Sequence, residues 1–185
     1  MSGQPAELLA TRGNLQSAAD LYKTWITHNS DHGLLYAIYF NWGAALMAAR
    51  DFPGSIEAFR EAVRLKPDFH VAIINLGRVL EENGQRNEAV EQWLGLVKNL
   101  AIVNGKTVAD KTMALQQIGR VLEVVKNDAA AENALKQSLD INPHQAEIAQ
   151  HWISFRLKQC KWPALTECER VSRRDLLTQI DPLSL

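Results

Sequence analysis

The most constraining feature of the chain is a stretch that repeats. Residues 36–69, "YAIYFNWGAALMAARDFPGSIEAFREAVRLKPDF", align with 70–100, "HVAIINLGRVLEENGQRNEAVEQWLGLVKNL", and with 112–145, "TMALQQIGRVLEVVKNDAAAENALKQSLDINPHQ". Each copy has a glycine after a bulky residue, a short polar turn and an amphipathic second half. Gly43 and Gly77 are 34 residues apart, whereas Gly77 and Gly119 are 42 apart, so the middle copy carries eight extra residues. A period in this range is the mark of a stacked array in which one supersecondary unit cannot bury its apolar face alone.

The pattern resembles the tetratricopeptide repeat. The first copy supplies Tyr39, Trp42-Gly43, Leu46, Ser55, Phe59, Ala62 and Pro67; the second Ile73, Leu76-Gly77, Leu80, Ala89 and Trp93; the third Leu115, Ile118-Gly119, Leu122, Ala131, Leu135, Ser138 and Pro143. Glycine and a small residue let two antiparallel helices approach, large residues fill the layer between units, and proline ends the second helix. The expected fold is therefore all-α, a right-handed superhelical solenoid of about three full repeats with partial units at both ends. The expected organisation is a partial repeat over 1–35, repeats over 36–69, 70–111 and 112–145, and a capping helix with linker over 146–185. In the N-terminal part, "NLQSAADLYKTWITHNSDH" resembles a second helix, with Ala18 and Tyr22 in the small and aromatic slots and little but "PAELLATR" before it. Asn104-Gly105 is a helix-stop signal, so the eight extra residues are expected to add a turn to the helix on either side. The resulting ridge would brace a neighbouring domain or be a neutral extension.

Composition narrows the partners. Lys plus Arg total 20 against 21 for Asp plus Glu, so no global field recruits nucleic acid or an anionic membrane. No segment approaches the ~20 apolar residues of a membrane span, and the start shows no secretory leader, so a cytoplasmic protein is expected. Cys160 and Cys168 are eight apart without CxxC spacing, and His28 and His32 lie across a loop-like "THNSDH", so neither a disulfide framework nor a metal is expected. There is no phosphate loop, nucleophile elbow or HExxH, and Glu81 with Glu82, or Glu167 with Glu169, read as solvated charge. The chain is expected to bind rather than react, without a cofactor of its own.

The binding surface expected of such an array is the concave face lined by the first helix of each unit. Two residues before the glycines stand Asn41, Asn75 and Gln117; one residue after them stand Ala44, Arg78 and Arg120. A carboxamide offers a donor and an acceptor, which complements a peptide unit, and arginine adds bidentate contacts to acidic groups. The same positions are also filled for local packing. The apolar, incomplete N-terminal unit offers a way to pair two chains into a homo-oligomer.

The chain as a whole, above all the extended second repeat, "IGRVLE" and the tail "QHWISFRLKQCKWP", resembles the repeat-to-enzyme segment of bacterial proteins of the SPINDLY type, which belong with the O-linked N-acetylglucosamine transferases. The resemblance implies a parent enzyme that moves a sugar from a UDP-sugar to Ser or Thr of proteins, with a two-lobed catalytic part not contained in these residues. It also implies an acceptor-holding role for Asn41 and Asn75, from which Gln117 and His151 depart. The alternative is a free-standing adaptor that docks a peptide or protein tail. In "HWISFRLKQCKWP", Ile153 occupies the glycine slot, so the array is expected to end there. Cys160 is expected to pack in a closing cap, Trp162 to cover the last helix pair, and Ser172 with Asp175 to open one more short helix.

Overall fold

A computed structural model of the chain describes residues 15–100, 104, 105, 107–164, 172–174 and 176. The stretch "PAELLATR", together with Cys168, Glu167, Glu169 and Asp175, lies outside them. Eight helices follow in order among the described residues: α1 (Leu15–His28), α2 (Leu35–Ala48), α3 (Phe52–Leu65), α4 (His70–Glu82), α5 (Arg86–Asn99), α6 (Val108–Val124), α7 (Asp128–Ile141) and α8 (Ala146–Lys158). The chain forms two compact units, the first running to Gln92 and the second starting at Trp93. In the first, α1 packs on α2, α2 pairs antiparallel with α3, and α3 packs on α4. In the second, α6 pairs antiparallel with α7, and α7 packs on α8.

The repeat slots explain the pairing. A Cβ at position 43 would stand 2.9 Å from two ring carbons of Phe59, and one at 119 would stand 2.9 Å from Cγ and Cδ2 of Leu135. Glycine thus admits the large residue of the second helix, sixteen positions on, against the backbone of the first. Phe59 and Leu135 are buried as a result. Beside Gly43, the buried Ser55 Oγ donates to the Gly43 carbonyl at 2.7 Å, which satisfies the only polar atom of that side chain. Helix α2, "LYAIYFNWGAALMA", is apolar almost all round because α1, α3 and α4 all touch it.

The first helices end alike. Gly84, Arg50, Lys126 and Cys160 all have positive φ, between 53° and 82°. Each is followed by a residue whose N–H returns to a carbonyl five residues back: Asp51 to Leu46, Gln85 to Leu80, Asn127 to Leu122 and Lys161 to Arg156. These are Schellman turns, and in three of them a residue with a side chain sits where glycine is free of strain. Lys126→Gly is therefore expected to raise stability by about 0.5–1 kcal/mol, and Gly84→Ala to lower it by about 1 kcal/mol, in urea melts. Opposite signs at the two equivalent positions distinguish this from a generic effect of glycine.

The second helices end by another route. Lys66 (φ −142°) and Asn142 (φ −132°) leave α3 and α7 in extended conformation, directly before Pro67 and Pro143. The proline ring excludes the helical region for the residue ahead of it.

The expected effect of the eight extra residues holds on one side only. Helix α6 has 17 residues against 14 in α2 and 13 in α4, an extra turn at its start. Helix α5 has 14, the same as α3 and α7, and is not lengthened. Asn104 and Thr107 close the turn that launches α6, with the Asn104 N–H donating to Thr107 Oγ1 at 2.9 Å. From the added turn Lys111 Nζ donates to the Leu100 carbonyl at 2.7 Å, a cation on the open end of α5.

The tail differs from two expectations. Cys160 is exposed and serves as the left-handed residue of the α8 turn, so it does not pack. Trp162 is 77% exposed and does not cover the last pair. That place belongs to Leu176, fully buried in one cluster with Leu135, Leu139, Ala149, Trp152 and Ile153. Ile153 stands where the earlier units have glycine, and among the described residues Leu176 packs against it. After Ser172 the described residues Arg173, Arg174 and Leu176 are helical, and the Ser172 carbonyl accepts from the Leu176 N–H at 3.1 Å.

Candidate functional site

In the first unit the surface of interest is the face of α2 and α4 that carries Asn41 and Asn75. Asn41 is exposed, the one carboxamide on an otherwise apolar helix, and no hydrogen bond engages it among the described residues. Asn75 is half-buried, and its Nδ2 donates to the Val71 carbonyl at 3.0 Å while its Oδ1 accepts from Arg78 Nη1 at 3.4 Å. Arg78 is exposed.

The second unit repeats the arrangement on α6. Gln117 Oε1 accepts from Arg120 Nη2 at 2.9 Å and from Arg120 Nε at 3.3 Å. At the next equivalent slot, on α8, His151 Nε2 lies 2.8 Å from Glu123 Oε2, and Lys158 Nζ lies 3.8 Å from Glu123 Oε1. The fourth member of the series therefore bridges two first helices instead of facing outward freely.

Sequence reasoning found the carboxamides and arginines but missed the residue that precedes them. Val71 and Met113 stand one turn ahead of Asn75 and Gln117 and are 44% and 47% exposed. Val71-Asn75-Arg78 and Met113-Gln117-Arg120 are thus the same i, i+4, i+7 stripe, which lies on one helical face. The signal was present as the recurrence of a large apolar residue where burial has no use for one.

The arrangement leaves mainly donors outward. In both units arginine occupies the carboxamide oxygen, so what remains outward is N–H: the amide of Gln117 and the guanidinium of Arg78. Such a face offers donors to carbonyl or carboxylate oxygens, while Asn75 Oδ1, with one bond at 3.4 Å, keeps a lone pair for a further donor. Asn41, unpaired and without a neighbouring arginine, keeps both halves.

Other candidates resolve locally. His28 closes α1 with Nδ1 2.8 Å from the Thr24 carbonyl, and His32 meets the Trp25 ring edge-on at 5.2 Å. Among the described residues no group of three or more His, Cys, Asp or Glu is placed to hold a metal ion, and no helix is long and apolar enough to cross a membrane. Glu132 is paired with both Arg156 and Lys161. Burial by itself would raise its pKa, but the hydrogen bonds from Lys161 and Arg156 and their charges outweigh it and hold the carboxyl below its usual range.

Comparison with known proteins agrees with the geometry. The tetratricopeptide repeat family model matches residues 36–69. No curated protein matches the sequence. Among solved structures, MamA from Desulfovibrio magneticus RS-1 is similar at a TM-score of 0.67 and 15% identity, covering 95% of this chain and 87% of that one. Pseudomonas aeruginosa pilF is similar at 0.67 and 16% identity, over 96% and 72%. A tetratricopeptide repeat protein from Parabacteroides merdae is similar at 0.67 and 15% identity, over 95% and 71%. The chain has the all-helical tetratricopeptide solenoid fold of antiparallel helix pairs, with one repeat of that family at residues 36–69.

Proposed function

We propose that this chain is a non-catalytic protein-interaction module that holds an extended, acceptor-rich segment of a partner protein along the first-helix faces of its units. The observation that carries the reading is the duplicated stripe. An exposed apolar side chain, a carboxamide and an arginine recur at the same register on α4 and α6, spaced about 10 Å from first to last at 1.5 Å per residue. A module of this kind needs no cofactor of its own and suits the cytoplasm.

The finer reading is that the module presents acceptor proteins to a SPINDLY-like O-glycosyltransferase whose UDP-sugar site lies in a separate catalytic region. The sequence resemblance over the repeats and tail supports it. A free-standing adaptor uses the same stripes, and the native reading frame separates the two: a downstream two-lobed α/β region supports the transferase.

The interaction is tested by crosslinking partner proteins to the chain and to variants. Asn41→Ala with Asn75→Ala, and separately Arg78→Ala with Arg120→Ala, are expected to lower capture about tenfold, the ~1.4 kcal/mol of one or two lost charge-assisted bonds. Undiminished capture by both variants removes the first-helix faces as the binding surface.

A further inference from the structure

Asparagine is followed by glycine twice in the chain, at Asn83-Gly84 and at Asn104-Gly105. Such a pair can modify itself. The main-chain nitrogen of the glycine is one ring closure away from the side-chain amide carbon of the asparagine, and no Cβ on the glycine obstructs the attack. Two conditions govern the step: the glycine nitrogen has to be free of a hydrogen bond, and the backbone has to bring it beside Cβ of the asparagine. All four residues are exposed, so exposure does not separate the two pairs.

The turn around Asn83-Gly84 meets neither condition. Gly84 N–H donates to the Glu81 carbonyl at 2.9 Å inside the Schellman turn that closes α4. Asn83 has ψ 4°, which sets the Gly84 nitrogen over the Asn83 nitrogen and turns it away from Cβ. Asn83 Nδ2 is held as well, donating to Gln85 Oε1 at 2.8 Å. Reaction there requires the turn to open, and with it the bond from the Gln85 N–H to the Leu80 carbonyl at 2.8 Å.

The turn around Asn104-Gly105 is fastened elsewhere. The Asn104 carbonyl accepts from the Thr107 N–H at 2.9 Å and the Val108 N–H at 3.0 Å, and the Asn104 N–H donates to Thr107 Oγ1. Gly105 N–H takes no part and has no hydrogen bond among the described residues. A Cβ at 105 would meet no atom within 4 Å, and Gly105 lacks the positive φ of Gly84. The nitrogen is open to approach, and alanine fits in its place.

We infer that Asn104 is a self-modification site, converting to aspartate and isoaspartate through a cyclic imide, while the turn at Asn83 preserves that asparagine. The Gly105 nitrogen gives up its proton and attacks Cγ of Asn104. The side-chain nitrogen leaves as ammonia, carrying that proton, and the imide remains. Water is the only other reactant. Added at Cγ it gives aspartate, and added at the main-chain carbonyl carbon it gives isoaspartate, with one carboxyl proton released to solvent in either case. In isoaspartate the chain runs through Cγ, and the carbonyl that receives Thr107 and Val108 becomes a carboxylate off the main chain. The conversion therefore refits the start of α6, and it does not rest on the proposed interaction role.

The full chain is aged in warm, mildly alkaline buffer and mapped by tryptic mass spectrometry, with digestion kept brief and below neutral pH. Residues 79–86 and 99–106 are separate tryptic peptides, so each pair is read independently. The expected result is replacement of NH2 by OH at Asn104 at least tenfold faster than at Asn83, with isoaspartate among the products by enzymatic methylation of its carboxylate. In guanidinium chloride the two rates should fall within threefold of each other. Gly105→Ala should slow the Asn104 step at least tenfold with an unchanged melting midpoint. Conversion of Asn83 as fast as that of Asn104 in the folded chain overturns the inference. So do an Asn104 that stays intact while the unfolded chain converts, a difference that persists in guanidinium chloride, or a Gly105→Ala chain that converts at the native rate.

Discussion

Phe59→Ala is expected to destabilise the first unit by about 3–5 kcal/mol, read as a shift of the urea midpoint without loss of helical signal in the folded baseline. The ring is fully buried. It lies over the Gly43 backbone, within 2.9 Å of where a Cβ would be, and its centroid is 5.6 Å from that of Phe40. Truncation leaves a void between α2 and α3 that the backbones do not readily close, since Ser55 Oγ ties α3 to the Gly43 carbonyl of α2. Gly43→Ala probes the same contact from the other side. The added methyl forces the ring to move, at a cost of about 1–3 kcal/mol, against a gain of about 1 kcal/mol from replacing glycine in a helix. Because both variants act on one contact, Gly43→Ala combined with Phe59→Leu should be less damaging than the sum of the two single changes by about 1 kcal/mol. Strict additivity in that cycle would show that the glycine is not there for the ring.

The second large effect is expected at Arg156, whose guanidinium joins four groups. It pairs with Glu132 on α7, donates from Nε to the Ala164 carbonyl at 3.0 Å and from Nη2 to the Pro163 carbonyl at 2.9 Å, and lies 5.3 Å from the centroid of the buried Trp152 ring. Arg156→Met keeps the stem but removes every donor, and should cost about 2–3 kcal/mol, less than a fully buried pair because Lys161 still serves Glu132. The loss should be local, seen as faster tryptic cleavage after Lys161 and faster amide exchange of the Lys161 N–H.

The pH dependence has a definite sign. Glu132 is held below its usual range in the folded chain, so its contribution is complete above the unfolded carboxylate value of about 4.3 and is lost as pH falls through the folded one. The gap between the native chain and Arg156→Met should therefore be full at pH 7 and shrink below about pH 4. A gap that stays constant down to pH 3 would mean that the arginine acts through Trp152 and the two carbonyls and not through the carboxylate.

The helix pairs were legible because their determinants are local and repeated. A glycine and the large residue sixteen positions on, as in Gly43 with Phe59 and Gly119 with Leu135, state a close approach between two helices without knowledge of anything else. Prolines 67 and 143 state where second helices stop. The ends of first helices were less legible, since only Gly84 announces a left-handed residue while Arg50, Lys126 and Cys160 adopt it under the demands of packing on both sides. The extra residues after Leu100 were legible as an insertion but not in their distribution. Their placement follows from where α5 stops and from Lys111 reaching its last turn.

For the candidate site, the sequence alone determined which residue types recur: carboxamides at 41, 75 and 117, and arginines at 78 and 120. It could not say what their hydrogen-bonding groups face, because a side chain's spare donors depend on rotamer and neighbours. The tertiary structure decided that Arg78 and Arg120 turn onto the carboxamide oxygens, that His151 spans to Glu123, and that Val71 and Met113 stay in solvent. The same division holds in "HWISFRLKQCKWP". Periodicity alone places Ile153 in the slot that holds glycine in the earlier units. Whether Cys160 and Trp162 are covered depends on contacts from residues far along the chain, and Leu176 reaching the core before them leaves both in solvent.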